Sequence, residues 1–139
     1  MQVLRRVLAA AGRPLLASPF VSSGLQTMRH PEILAPVAAP VALAIAERVP
    51  GLPRDAVRLV RINGAVHVGG GVLLAAGRLP RLAALVLAAS LVPTTVAGHP
   101  FWTEGDPGKR LQQKIHFFKN LSIFGGLLVA AAVHEERPR

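Results

Sequence analysis

The residues with chemistry to offer lie inside or beside the chain's most apolar stretches. In QQKIHFFKNLSIFGGLL, Gln112, His116 and Asn120 recur every four residues and so share one helix face, with Lys119 beside them. Asn63 and His67 repeat that spacing in LVRINGAVHVGGG, just after Arg61, and His99 follows the Thr94–Thr95 pair in SLVPTTVAGHPFW. Three kinds of chemistry fit this set. Imidazoles ligate haem iron, here His67 with His116 or His99 with His116, but five histidines without a Cys-His attachment motif point to haem only weakly. Contact with a quinone asks for less: a greasy slot with one or two donors, such as His116, Lys119 and Asn63. For Asn63 and Asn120 the simplest use is interhelical hydrogen bonding, worth about 0.6 kcal/mol on average, and it is preferred over ligand binding.

Other cations form patterns of their own. Arg54, Arg58 and Arg61 follow an i, i+4, i+7 stripe, and Arg110 and Lys114 make a similar pair further along. Such groups hold an anionic lipid headgroup or a small anion, or they snorkel to the interface and touch phosphates nonspecifically; the second use is the commoner one. Lys119 lies deeper in its apolar run and needs a partner or an outward path, because a lysine at the bilayer centre costs roughly 2.5–3.5 kcal/mol. No acid lies inside any apolar run, and Asp55, Glu104 and Asp106 are the nearest by topology. No metal site is expected. Gly64, Gly69, Gly70 and Gly71 permit close helix approach; without a following Lys-Ser/Thr they are not a phosphate loop.

What must position these groups is a set of apolar helices. The 139 residues are 51% hydrophobic but only 4% aromatic and 17% charged, with mean hydropathy +0.43, too much aliphatic side chain for the interior of a soluble globule. A net charge of +9 raises nucleic acid as a partner, but the cations gather at the ends of apolar runs, which excludes it. With no cysteine, the chain has no disulfide, thiolate nucleophile, Cys-ligated zinc or iron–sulfur cluster. The fold expected is all-α: a single domain over 1–139 with four transmembrane helices at about 4–28, 53–77, 80–98 and 107–134. Pro53 and Pro107 suit first helical positions, Asp55 the first turn and Asp106 an N-cap, while Gly77 and Pro80 build a tight turn.

Between the first two spans, Ile33 to Ala46 is short and carries Pro36 and Pro40, so it reads as an interfacial helix over about 36–49. A cleaved signal peptide is the competing reading of the first run. Arg13 and Pro14 split its apolar core, however, and Pro19 crowds a cleavage site near Ala17. Arg5, Arg6 and Arg13 leading that helix, against one trailing Arg29, place both termini in the cytoplasm. On this reading Phe101 and Trp102 belong to the aromatic belt.

Taken together, LVRINGAVHVGGGVLLAAGRLPRLAAL, SLVPTTVAGHPFW and QQKIHFFKNLSIFGGLL, with the opening GRPLLASPFVSSGLQTMRHPE, resemble the DoxX family of bacterial inner-membrane proteins, particularly its actinobacterial branch. The resemblance implies a four-helix multi-pass bundle tied to redox and oxidative-stress metabolism, with superoxide dismutase or a sulfurtransferase as partners. The positions matching recurrent family motifs are Arg61, Asn63, Gly64, Pro93, Thr94, His99, Pro100, His116, Lys119 and Asn120, with no catalytic role attached to them. The expectation is therefore a non-catalytic accessory or scaffold protein without a bound cofactor. The alternatives are a quinone-binding subunit of a membrane oxidoreductase and a small transporter.

Overall fold

Caps and prolines decide where the helices begin. In the computed structural model, which describes residues 1–133, α1 spans Gln2–Arg29, α2 Pro31–Arg48, α3 Ala56–Ala75, α4 Pro80–Gly98 and α5 Pro107–Ala132, with a 3₁₀ turn at Phe101–Thr103. The described chain is all helical. Asp106 caps α5 by accepting the Lys109 N–H at 2.8 Å, and Pro107 takes the first turn, as expected. Residue 134, the expected end of that helix, lies outside the described residues.

The start of α3 corrects the expectation of Pro53. The Asp55 carboxylate accepts the Arg58 N–H at 2.7 Å, so Asp55 is the cap and the helix begins one residue later. Asp55→Ala should cost about 1 kcal/mol of stability, read from denaturant unfolding in micelles. At its other end α3 stops at Ala75, short of the expected 77. Gly77, at φ +66°, lets the Arg78 N–H reach the Leu73 carbonyl at 2.9 Å, while the Gly77 N–H reaches Leu74 at 3.1 Å.

A second correction concerns α2, which begins at Pro31 rather than Pro36 and runs unbroken through Pro36 and Pro40. Both internal prolines are exposed, so their rings and the carbonyls they leave free meet no neighbouring helix. Helix α1 likewise continues through Pro14 and Pro19, two residues beyond its expected start and one beyond its expected end.

Packing uses small residues. A Cβ added to Gly24 would stand 2.8 Å from the Gly64 carbonyl oxygen, and one on Gly64 would stand 3.0 Å from the Gly24 carbonyl, so α1 and α3 touch backbone to backbone. Further along the same seam, Gly71 faces Ala17 and Val21, and Gly77 faces Arg13. This register makes α1 and α3 antiparallel. Asn63 against Thr94 and Gly70 against Leu87 make α3 and α4 antiparallel too. Helix α5 packs chiefly on α4 and the 3₁₀ turn, and α4 stands between α3 and α5. The shared core joins Ala17 and Phe20 of α1, Leu74 of α3, five α4 residues including Leu87, and Leu127 and Ala131 of α5.

Because α3 runs back along α1, its start lies at the level where α1 ends. Helix α2 therefore leaves and rejoins the same end of the bundle, packing on α3 and α4 more than on α1. That end also carries the 3₁₀ turn and the beginning of α5.

Candidate functional site

At the shared end, α4 gathers the polar side chains of its two neighbours. Asn63 Nδ2 donates to Thr94 Oγ1 at 3.0 Å, and Thr94 in turn donates to the Ser90 carbonyl at 2.9 Å. One residue on, Thr95 Oγ1 accepts from Asn120 Nδ2 at 3.1 Å. The adjacent threonines thus bridge α3 to α4 and α4 to α5, giving each amide one hydrogen-bond partner inside the bundle. The polar faces of α3 and α5, expected to meet directly, are joined through α4 instead. Replacing either asparagine by leucine should cost about 0.6 kcal/mol, and at most ~2, with the fold retained. Unfolding of each variant in mixed micelles checks this.

A turn nearer the end, His99 and His116 stack, with ring centroids 5.2 Å apart and planes 20° from parallel. His99 Nδ1 lies 2.8 Å from Gln113 Oε1, and Lys119 Nζ lies 3.4 Å from His116 Nδ1. Lys119, expected to need a partner or an outward path, has both: an imidazole beside it and an exposed side chain. Gln113, which the four-residue spacing had passed over, belongs to this group; its signal was only its place three residues before His116. Beside the stack, Phe101, Trp102, Phe117 and Phe118 make edge-to-face contacts at 5.3–5.8 Å between centroids.

His67 is a correction to the expected cluster. It is only 5% exposed and packs at the α1–α3 seam, edge-on to Phe20 at 5.2 Å, facing α1 where Asn63 faces α4. Four residues advance a helix by 400°, so Asn63 and His67 sit about 40° apart, enough to fall on either side of the boundary between two packed neighbours. Among the described residues, the buried Nε2 of His67 has no hydrogen-bond partner. His67 and His116 are not brought together. Arg58 and Arg61 are exposed on α3, and Arg54, expected on the same helical stripe, is exposed just before its cap; Arg110 and Lys114 are exposed on α5. Arg110 Nε donates to the Glu104 carbonyl at 2.8 Å and so ties the 3₁₀ turn to α5.

Between α4 and α5, next to Asn120 and Thr95, runs an open groove of about 130 Å³. Its walls are apolar, chiefly Leu91, Val92, Val96, Phe117, Leu121 and Phe124. A second open hollow, about 480 Å³, lies along the last turns of α1 beside Ser22, Gln26, Arg29 and His30. Among the described residues, no group of three or more His, Asp or Glu could hold a metal ion.

The sequence profile of the DoxX family matches residues 8–100, about two thirds of the chain. The chain belongs to the DoxX family. The matched stretch of this DoxX protein carries α1 to α4 and with them Asn63, Thr94, Thr95 and His99, while α5, with His116, Lys119 and Asn120, lies beyond it. No curated protein and no solved structure gives a match. Two helical stretches of this DoxX chain are long and apolar enough to cross a membrane, Pro80–Thr103 and Pro107–Ala132. DoxX membership and these two stretches together mark a small membrane protein.

Proposed function

We propose that this DoxX-family chain is a four-span bundle of the bacterial inner membrane that serves as an accessory or scaffold subunit for redox enzymes. In this reading α1, α3, α4 and α5 cross the bilayer, and α2, returning to the end it left, lies along the interface. Supporting this, α1 and α3 pack too closely to be parted from each other, and their length suffices: 28 and 20 residues rise about 42 and 30 Å. Large aliphatics such as Leu15, Val72, Leu82 and Val129 face outward on α1, α3, α4 and α5 respectively, a surface suited to acyl chains.

The observation that carries the accessory reading is that the bundle's asparagines both bond to α4 and border only a narrow groove. Asn63 and Asn120 are bonded to Thr94 and Thr95, and the groove beside them is well under the ~300 Å³ of a typical small-molecule pocket. With no cysteine for dithiol chemistry, the chain fits the role of positioning enzymes, of which a superoxide dismutase or a sulfurtransferase is the kind the family resemblance suggests. The protein purified in mild detergent should show no haem absorption band and yield no stoichiometric quinone on solvent extraction, while crosslinking in membranes joins it to a redox enzyme. A quinone retained one to one through purification would replace this reading with that of an oxidoreductase subunit.

A further inference from the structure

The His99–His116 stack differs from the asparagine bridges in leaving polar atoms unspent, and it stands at the mouth of the α4–α5 groove. Val92 and Val96 of α4 lead along the groove to His99 at that helix's C-cap, and on α5 Gln113, Phe117 and Asn120 follow the facing side, so the groove leads from the imidazoles toward the bundle's middle. Lysine only donates, so its contact with His116 Nδ1 puts the proton of a neutral His116 on Nε2. Gln113 Oε1 only accepts, so His99 donates from Nδ1 and keeps a lone pair on Nε2. Neither Nε2 bonds to a described residue. The end of the groove therefore presents an N–H donor, a lone-pair acceptor and an ammonium, and Phe117 of the groove wall packs edge-on to Phe101 and Trp102. Among the described residues, no carboxylate bonds to any of the three.

From this we infer that His99, His116 and Lys119 bind the head of an anionic phospholipid that also bears a hydroxyl, with the start of one acyl chain lying in the groove. Lys119 and the His116 Nε2–H face the phosphodiester oxygens, and the His99 Nε2 accepts from the head hydroxyl. An apolar channel of about 130 Å³, open along its length, seats one side of a chain though it encloses no ring system. The charge complementarity and the apolar lining together select a lipid over a free anion. The inference rests on α4 and α5 being membrane spans.

The test uses the full chain in nanodiscs of phosphatidylcholine containing a minor fraction of phosphatidylglycerol, with retained lipid counted by native mass spectrometry after partial delipidation. Phosphatidylglycerol should be kept preferentially, and Lys119→Leu and His116→Phe should each weaken its retention about tenfold, the loss of a charge-assisted or ordinary hydrogen bond. Lys119→Arg should restore it. Arg48→Gln, which removes an exposed cation at the same end, should leave retention unchanged. Equal retention of the two lipids, or equal loss in the Arg48 variant, would overturn the inference in favour of a nonspecific basic surface. Displacement by millimolar inorganic phosphate would overturn it in favour of a free-anion site. Resistance of each variant to alkaline extraction from membranes, scored in parallel, separates failure of this site from failure of the membrane reading.

Discussion

Gly24→Leu should unseat α1 from α3 and give the largest loss of stability of any single change in the bundle. The position has no room: a Cβ would meet the Gly64 carbonyl at 2.8 Å, Val68 Cγ2 at 2.9 Å and the His67 Cβ at 3.0 Å. The first of these is backbone and cannot swing aside. Even Gly24→Ala should cost about 1–3 kcal/mol through overpacking, and leucine more, since the two helices must separate. Between helices in lipid, van der Waals fit is a principal source of association, so a wedge here removes what holds α1 in place. Gly69 supplies the control. Nothing lies within 4 Å of a Cβ placed there, and alanine should stabilise α3 by up to about 1 kcal/mol through helix propensity alone. Reversible unfolding in mixed micelles measures both; similar effects at Gly24 and Gly69 would refute the close α1–α3 seam.

The second large effect is Leu87→Ala at the centre of the core, where Leu87 is fully buried. In water such truncations cost about 2–5 kcal/mol, combining a transfer term with a cavity term. For a helix that remains in lipid when the bundle opens, the leucine is solvated by apolar chains in either state and the transfer term largely vanishes. A loss near the low end, about 2 kcal/mol, is therefore expected. Gly70 sharpens the experiment. A Cβ on Gly70 would lie 2.9 Å from Leu87 Cδ2 and 3.0 Å from its Cγ, atoms that Leu87→Ala deletes. Gly70→Ala alone should be mildly destabilising, yet in the Leu87→Ala background it should recover part of the loss. The double-mutant cycle should thus return a favourable coupling of about 0.5–3 kcal/mol. Strict additivity would mean that α3 and α4 do not meet at this pair.

Much of the helical layout was legible because it depends on local chemistry. Pro80 and Asp106–Pro107 fix the starts of α4 and α5 through groups within a turn of themselves, and Gly77 ends α3 because only a left-handed residue closes that turn cheaply. The start of α3 was misplaced where two local signals, Pro53 and Asp55, competed two residues apart; the carboxylate capped the helix. Pro36 and Pro40 were read as breakers, yet a proline on an exposed face disturbs only its own turn, and that exposure is settled by how α2 lies on α3 and α4.

The site was legible in composition but not in pairing. Asn63, His99, His116, Lys119 and Asn120 lie toward one end of the bundle, in two separate bridges and one stack. Which helix each would address depends on the angular position of the neighbours, and spacing along one helix carries no record of that. So His67 turned to α1 while Asn63 turned to α4, and the Thr94–Thr95 pair proved to be the hub of both bridges.

The absence of cysteine makes the topology directly measurable, since any engineered thiol is the sole one. Single cysteines at Gln2, Arg54, Arg78 and Thr103, probed in intact cells with a membrane-impermeant maleimide, report on the ends of the four spans. The account requires Gln2 and Arg78 to share one face of the membrane and Arg54 and Thr103 the other. If Gln2 and Arg54 react from the same face, either α1 does not cross or α2 crosses as well, and the four-span bundle with an interfacial α2 is wrong.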